Sequence, residues 1–127
     1  MPKQAFNPDG LHKPERYSQV VRAGNTVYLA GQTPLDAEGR LVGKDDIEAQ
    51  AVQVFENLRI ALASVGGTMD DIVQTRTYIT ELSYREAMGR VRQRYFQGAP
   101  PASTLLVVKG LANPDYLIEI DAVAVVG

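Results

Sequence analysis

The chain contains no cysteine. That removes disulfides, thiolate metal sites and a cysteine nucleophile together. Its only histidine is His12, so neither a multi-histidine metal centre nor a triad built on several histidines is expected. No apolar run approaches the length needed to span a bilayer. The start, Met1 to Pro8, lacks the apolar core of a signal peptide. An excess of positive charge is also missing: 13 Lys and Arg stand against 15 Asp and Glu, a formal net charge of -2. Such a balance offers no basic surface for nucleic acid. The expectation is a soluble, cytoplasmic domain with no membrane or nucleic-acid partner.

With 127 residues, 45% of them hydrophobic, residues 1–127 form one domain with a core of its own. Tyr17 to Arg22 and Thr26 to Gln32 read as strands joined by a Gly24-Asn25 turn. A helix follows, with Asp45 as N-cap and Glu48 completing a capping box. Ile47, Ala51, Val54, Phe55, Leu58, Leu62 and Val65 recur on one of its faces, and Gly66-Gly67 ends it. Ile72 to Thr80 is β-branched and reads as a strand. Ser83 and Glu86 suggest a second capping box, opening a helix with a stripe of Tyr84, Ala87, Met88, Val91 and Tyr95. Thr104 to Lys109 and Leu117 to Val126 are the last strands, and Lys3 to Phe6 is a short candidate at the start. The order predicts an α/β fold with a mixed sheet packed on two helices. The last two strands are apolar on both faces. Two helices cover only one face of a sheet, so the other face is expected to meet further copies of the chain.

Glu119 is out of place in this pattern. It interrupts the apolar run from Tyr116 to Val126, where an unpaired carboxylate is costly. Asp121 shares its face of the strand, roughly 7 Å away at about 3.3 Å of rise per residue. One reading is an acid tied to backbone N–H groups or to an arginine. The other is a carboxyl group lining an intersubunit cleft, its pKa raised by burial and by Asp121, suited to acid–base work near neutral pH. Tyr17, in the polar Arg16 to Gln19 cluster, offers a phenol to a cleft or packs on the core. Ser103 and Thr104 open a strand after Pro100-Pro101. Ser103 lies in no nucleophile elbow and reads as a hydrogen-bonding group. Gly31 marks a bulge or a place where a backbone or ligand comes close. Arg85, Arg90, Arg92 and Arg94 crowd the second helix, as a solvated face or as an anion contact at a subunit interface.

Taken together, Tyr17-Ser18-Gln19, the run Ala30 to Leu35, Gln50 with Glu56-Asn57-Leu58, Asp71-Ile72-Val73, Pro100-Pro101-Ala102 and the run Ile118 to Val125 resemble the RidA/YjgF/UK114 family. The motifs run in family order over nearly the whole chain. The resemblance implies a chorismate-mutase-like α/β fold and a homotrimer whose sheets form a central barrel, with small-molecule clefts between subunits. It also implies cofactor-independent hydrolysis of enamines and imines to a keto acid and ammonia. A glutamate matching Glu119 handles the water, a tyrosine matching Tyr17 lines the site, and an arginine after Pro-Ala clamps the substrate carboxylate. Here that arginine is Ser103, and a helical asparagine of the family is Gly89. The pattern is similar to an arginine-lacking branch of the superfamily. Losing a bidentate carboxylate contact removes several kcal/mol of substrate orientation, on the order of 2–5.

Three functions follow as expectations. The first is a deaminase-type hydrolase with an atypical substrate: Glu119 is catalytic, while Tyr17, Ser103, Thr104, Gly31 and Arg92 contact substrate, and no metal or cofactor is used. The second is a non-catalytic trimer that binds a metabolite or a protein. The third is an endoribonuclease, which the acidic balance and single histidine oppose.

Overall fold

The computed structural model describes residues 2–127. Six strands form one mixed sheet: β1 (Gln4–Phe6), β2 (Val20–Ala23), β3 (Thr26–Gln32), β4 (Ile72–Ile79), β5 (Ala102–Val107) and β6 (Ile118–Val125). Two helices, α1 (Ile47–Ala63) and α2 (Arg85–Tyr95), complete the fold. The strand order is β1-β2-β3-β6-β4-β5. Only the β4–β5 pair is parallel; the connection between them carries α2. β6 lies inside the sheet between β3 and β4, so Glu119 sits between two neighbours rather than at an edge.

Alternation along β6 sorts its side chains cleanly. Ile118, Ile120, Ala122 and Ala124 are buried beneath the helices, whereas Glu119, Asp121, Val123 and Val125 face away from them. Cross-strand register arranges the open face in rows. Val21, Tyr28, Val123 and Gln74 form one row, Asp121, Arg76 and Thr104 another, and Glu119, Tyr78 and Leu106 a third. Tyr28, Leu106 and Val125 are about half exposed there, at 51%, 46% and 48%. The two-sided apolarity expected of the last strands is therefore present.

On the other face, α1 buries Ala51, Val54, Phe55, Leu58, Ala61 and Leu62 against the sheet. Fully burying a leucine or phenylalanine contributes about 1.5–3 kcal/mol each. The Tyr95 ring stacks on Phe55 at 5.2 Å and joins α2 to α1. Its hydroxyl donates to Glu56 at 2.8 Å. Burial first, and then that carboxylate, push the phenol up to about 12.

Several local expectations shift. The N-cap of α1 is Asp46, whose carboxylate accepts from Ala49 N at 3.1 Å. Asp45 instead takes a left-handed φ of 60° and cannot cap. Glu48 is one residue short of the capping-box position and pairs with Arg94 of α2 at 3.0 Å. Ser83 caps nothing, because Leu82–Tyr84 is already a 3-10 turn running into α2. β2 begins at Val20 rather than Tyr17, since the Gln19 N–H is taken by the Asn7 side chain at 2.9 Å. β5 runs Ala102–Val107, two residues earlier than its apolar run suggests, through its pairing with β4.

Candidate functional site

The exit of β3 prepares the place where Glu119 sits. Its pairing with β6 slips between Leu29 and Gln32, a bulge that turns the Gly31 backbone toward β6. The Glu119 carboxylate fills the space where a side chain at position 31 would stand: a Cβ there would lie 2.9 Å from Glu119 Cδ. Gly31 thus makes room for the acid itself, and both of its earlier readings, bulge and close approach, meet at one residue. Beyond the bulge, Asn57 of α1 donates to the carbonyls of Thr33 and Leu35 at 3.1 and 2.9 Å. Those bonds fix the loop that walls the space beside Glu119.

That space is a cavity of about 490 Å³ lined by His12, Tyr17, Ala30, Gly31, Thr33, Leu35, Ala112, Tyr116 and Glu119. Tyr17 is 50% exposed there. Burial raises its phenol pKa first, with the Glu119 and Tyr116 charges adding to the effect. Glu119 is half-buried and accepts no hydrogen bond from the described residues. Burial first, and Asp121 second, raise its pKa from the ordinary glutamate value.

The two acids of β6 have different company. Asp121 accepts from Arg76 Nε at 2.9 Å and from the Tyr78 hydroxyl at 3.1 Å. The alternatives of a tied acid and a cleft acid are therefore both realised, two residues apart. Asp121 is the tied one.

Ser103 and Arg92 lie elsewhere in the chain. Ser103 pairs with Thr75, and Glu119 with Tyr78 on the far side of β4. Two strand spacings and three residues of rise separate them by roughly 14 Å, on opposite faces of the sheet. Arg92 is half-buried rather than solvated. Its guanidinium lies over the Phe96 ring at 4.9 Å, and Nη1 donates to Thr75 Oγ1 at 3.2 Å. Thr75 Oγ1 in turn lies 3.5 Å from Ser103 Oγ. No acid among the described residues pairs with Arg92, and burial lowers its pKa. A cavity of about 300 Å³ opens beside it, walled by Gln93, Phe96, Gly98 and Pro100. By contrast Arg85 and Arg90 are exposed, as a solvated helix face requires. Thr104 stands on the open face opposite Arg76, in neither cavity.

One protomer therefore carries two separate groups: Glu119 with Gly31 and Tyr17, and Arg92 with Ser103. His12 and Tyr116 join the first group without having been singled out. A lone histidine 107 positions before Glu119 carries no local signal of it. Among the described residues no group of three or more His, Cys, Asp or Glu is placed to hold a metal ion. Among the described residues no helix is long and apolar enough to cross a membrane.

The family model described as endoribonuclease L-PSP matches residues 10–126. A RutC family protein of Pyrococcus abyssi is 35% identical over 108 residues, 85% of this chain and 84% of that protein. Among solved structures, YyfA of Yersinia pestis, a Rid-family protein of unknown function, superposes with a TM-score of 0.93 at 30% identity, covering 98% of this chain and 100% of that one. Escherichia coli TdcF with bound serine superposes with a TM-score of 0.85 at 26% identity, covering 94% of each. Sequence and fold agree over almost the whole length, and the chain belongs to the RidA/YjgF/UK114 family.

Proposed function

We propose that this chain is a cofactor-independent hydrolase of the enamine and imine deaminase type, acting on a small metabolite as a homotrimer. The observation that carries this reading is Glu119: a half-buried carboxyl with a raised pKa, accepting no hydrogen bond, in a cavity walled by phenols. Hydrolysis of C=N needs one group to move two protons. Water adds to the imine carbon as Glu119 takes its proton. Glu119 returns that proton to the nitrogen, giving a neutral carbinolamine, and then carries the hydroxyl proton to the nitrogen as the C–N bond breaks, so that C=O forms and ammonia departs. A carboxyl group whose pKa approaches the working pH serves both steps. Tyr17 supplies a hydroxyl beside it. The serine bound to TdcF makes a small amino-acid-like ligand a reasonable occupant.

In this reading Ser103, in place of the family arginine, places the chain in the arginine-lacking branch, and Arg92 supplies the anchor for an anionic substrate group. Its guanidinium has no acid partner among the described residues, lies over the Phe96 ring, and reaches Ser103 through Thr75. The roughly 14 Å between the two groups within one chain is bridged when Arg92 of one copy faces Glu119 of the next. The half-exposed apolar rows of the open face are what the trimer covers. Ser103 also favours a second reading, a trimer that binds a metabolite without converting it. The ribonuclease reading has little support, with a net charge of -2 and Arg76 tied to Asp121.

The test is ammonia release from a panel of imines generated by an amino-acid oxidase, with carboxylate and carboxamide members. Wild type accelerates at least one member, Glu119→Gln abolishes the acceleration, and Arg92→Met raises KM for carboxylates alone. Ser103→Arg raises kcat/KM on 2-iminopropanoate on the order of tenfold, about 1.4 kcal/mol. No acceleration by any form of the protein would leave the binding trimer as the function.

A further inference from the structure

The Glu119 cavity is walled in part by the chain's only histidine, and buried amides hold that ring. The Ala30 carbonyl accepts from Gln32 Nε2 at 3.1 Å. A carbonyl oxygen can only accept, so this contact fixes which end of the Gln32 amide is nitrogen. The same nitrogen donates to Gln19 Oε1 at 2.8 Å. Gln19 Nε2 must then face the other way, and it donates to the His12 carbonyl at 3.0 Å. It also lies 3.4 Å from His12 Nδ1. An amide nitrogen can only donate, so in this contact Nδ1 is the acceptor and the neutral ring carries its proton on Nε2. Gln19 and Gln32 are 0% and 1% exposed. A flipped amide would set oxygen against oxygen in a buried site, which is unfavourable at low local dielectric. Burial also draws the His12 pKa below its ordinary value, in keeping with a neutral ring.

With Nδ1 turned to the buried amide, Nε2 lies on the opposite side of the ring. No described residue accepts a hydrogen bond from it. We propose that His12 is a ligand-binding residue of the Glu119 cavity, donating its Nε2–H to an acceptor, a carbonyl oxygen or an imine nitrogen, on the molecule held there. The proposal rests on reading this cavity as the ligand site and is independent of whether that ligand is hydrolysed. It gives the cavity a fixed donor opposite an acid–base carboxyl. The favoured ligand then presents an unprotonated acceptor to His12 and a proton-exchanging atom to Glu119.

Because His12 is the single histidine, long-range proton–nitrogen NMR on histidine-labelled protein shows one imidazole without ambiguity. The expected pattern is a protonated Nε2 and an unprotonated Nδ1; the reverse pattern, or an averaged one, overturns the proposal. Acetone and acetamide, titrated to molar concentration as acceptor probes, are expected to move the Nε2 signal saturably. No saturable movement with either probe overturns the ligand role. His12→Gln, which places an amide N–H near the position of Nε2, is expected to keep probe affinity within about threefold, read at the Tyr17 ring. His12→Phe is expected to weaken it at least fivefold at unchanged Tm; equal affinity in wild type and His12→Phe overturns the role. In Gln32→Met the freed Gln19 amide is expected to admit the second tautomer. If that variant does not fold, the wild-type pattern and the two His12 variants decide. An inactive enzyme with the expected NMR behaviour removes the deaminase reading and leaves this one standing.

Discussion

At the scale of single residues, the cost of Glu119 can be separated from its use. Its folded-state pKa is raised above the unfolded value by burial and by Asp121. Below the unfolded value, about pH 4.3, both states are protonated and the group is stability-neutral relative to glutamine. As pH rises from there, the unfolded chain releases its proton first, so the folded state loses stability until the folded pKa is passed. Glu119→Gln should therefore melt above wild type at pH 7, with the gap closing toward pH 4. Thermal unfolding at the two pH values measures this. A variant less stable than wild type at pH 7 would mean that Glu119 has a stabilising partner. The same residue makes Gly31 informative. A Cβ at position 31 meets the far end of a flexible side chain, so Gly31→Ala should cost under about 1 kcal/mol of stability. It should nonetheless displace the carboxylate and abolish ligand response in the cavity. A loss of several kcal/mol in urea unfolding would show that the Glu119 side chain cannot move aside.

Among the elements, α1 does more than bury an apolar stripe. Gln50 is fully buried and makes three bonds: it donates to the carbonyls of Gly43 and Asp115 at 3.0 and 2.9 Å, and accepts from Leu117 N at 2.8 Å. The helix is thereby bolted to the loop that leads into β6 and carries Tyr116. Gln50→Leu leaves buried backbone groups without partners, each costing about 1–3 kcal/mol. The expected result is a loss of about 2–4 kcal/mol in urea unfolding and faster hydrogen exchange at Leu117. Unchanged exchange there would place the restraint elsewhere. The apolar stripe of α1 was legible in the sequence, because burial imposes a 3.6-residue period. The partners of Gln50 and Asn57 were not, since both glutamine and asparagine are ordinary on an exposed helix face and their acceptors lie on distant loops. The caps shifted for a related reason. Asp45 and Asp46 are chemically the same signal, and only the left-handed turn at Asp45 decides between them.

For the whole molecule, the open sheet face sets the expectation. Tyr28, Leu106 and Val125 are half exposed on it, beside Val21 and Val123. Rows of this kind mark contact surfaces rather than solvent faces. Light scattering on wild type should give about three times the 13.9 kDa chain mass, and Leu106→Glu should lower that mass toward one chain while retaining the secondary structure by circular dichroism. A wild-type mass of one chain would sink the trimer and the shared cleft with it. The alternation of β6 and the period of the helices were determined by the sequence alone, because each follows from one face meeting water and the other meeting a core. So were the oddity of Glu119 and the absence of an arginine at Ser103. Tertiary structure decided which acid of β6 is tied and which is free, why Gly31 has no side chain, and that Arg92 turns inward over Phe96. It also brought the buried Gln19 and Gln32 amides up against His12. These depend on contacts between residues far apart in the chain, and local patterns of polarity carry no record of which distant partner a polar group will find.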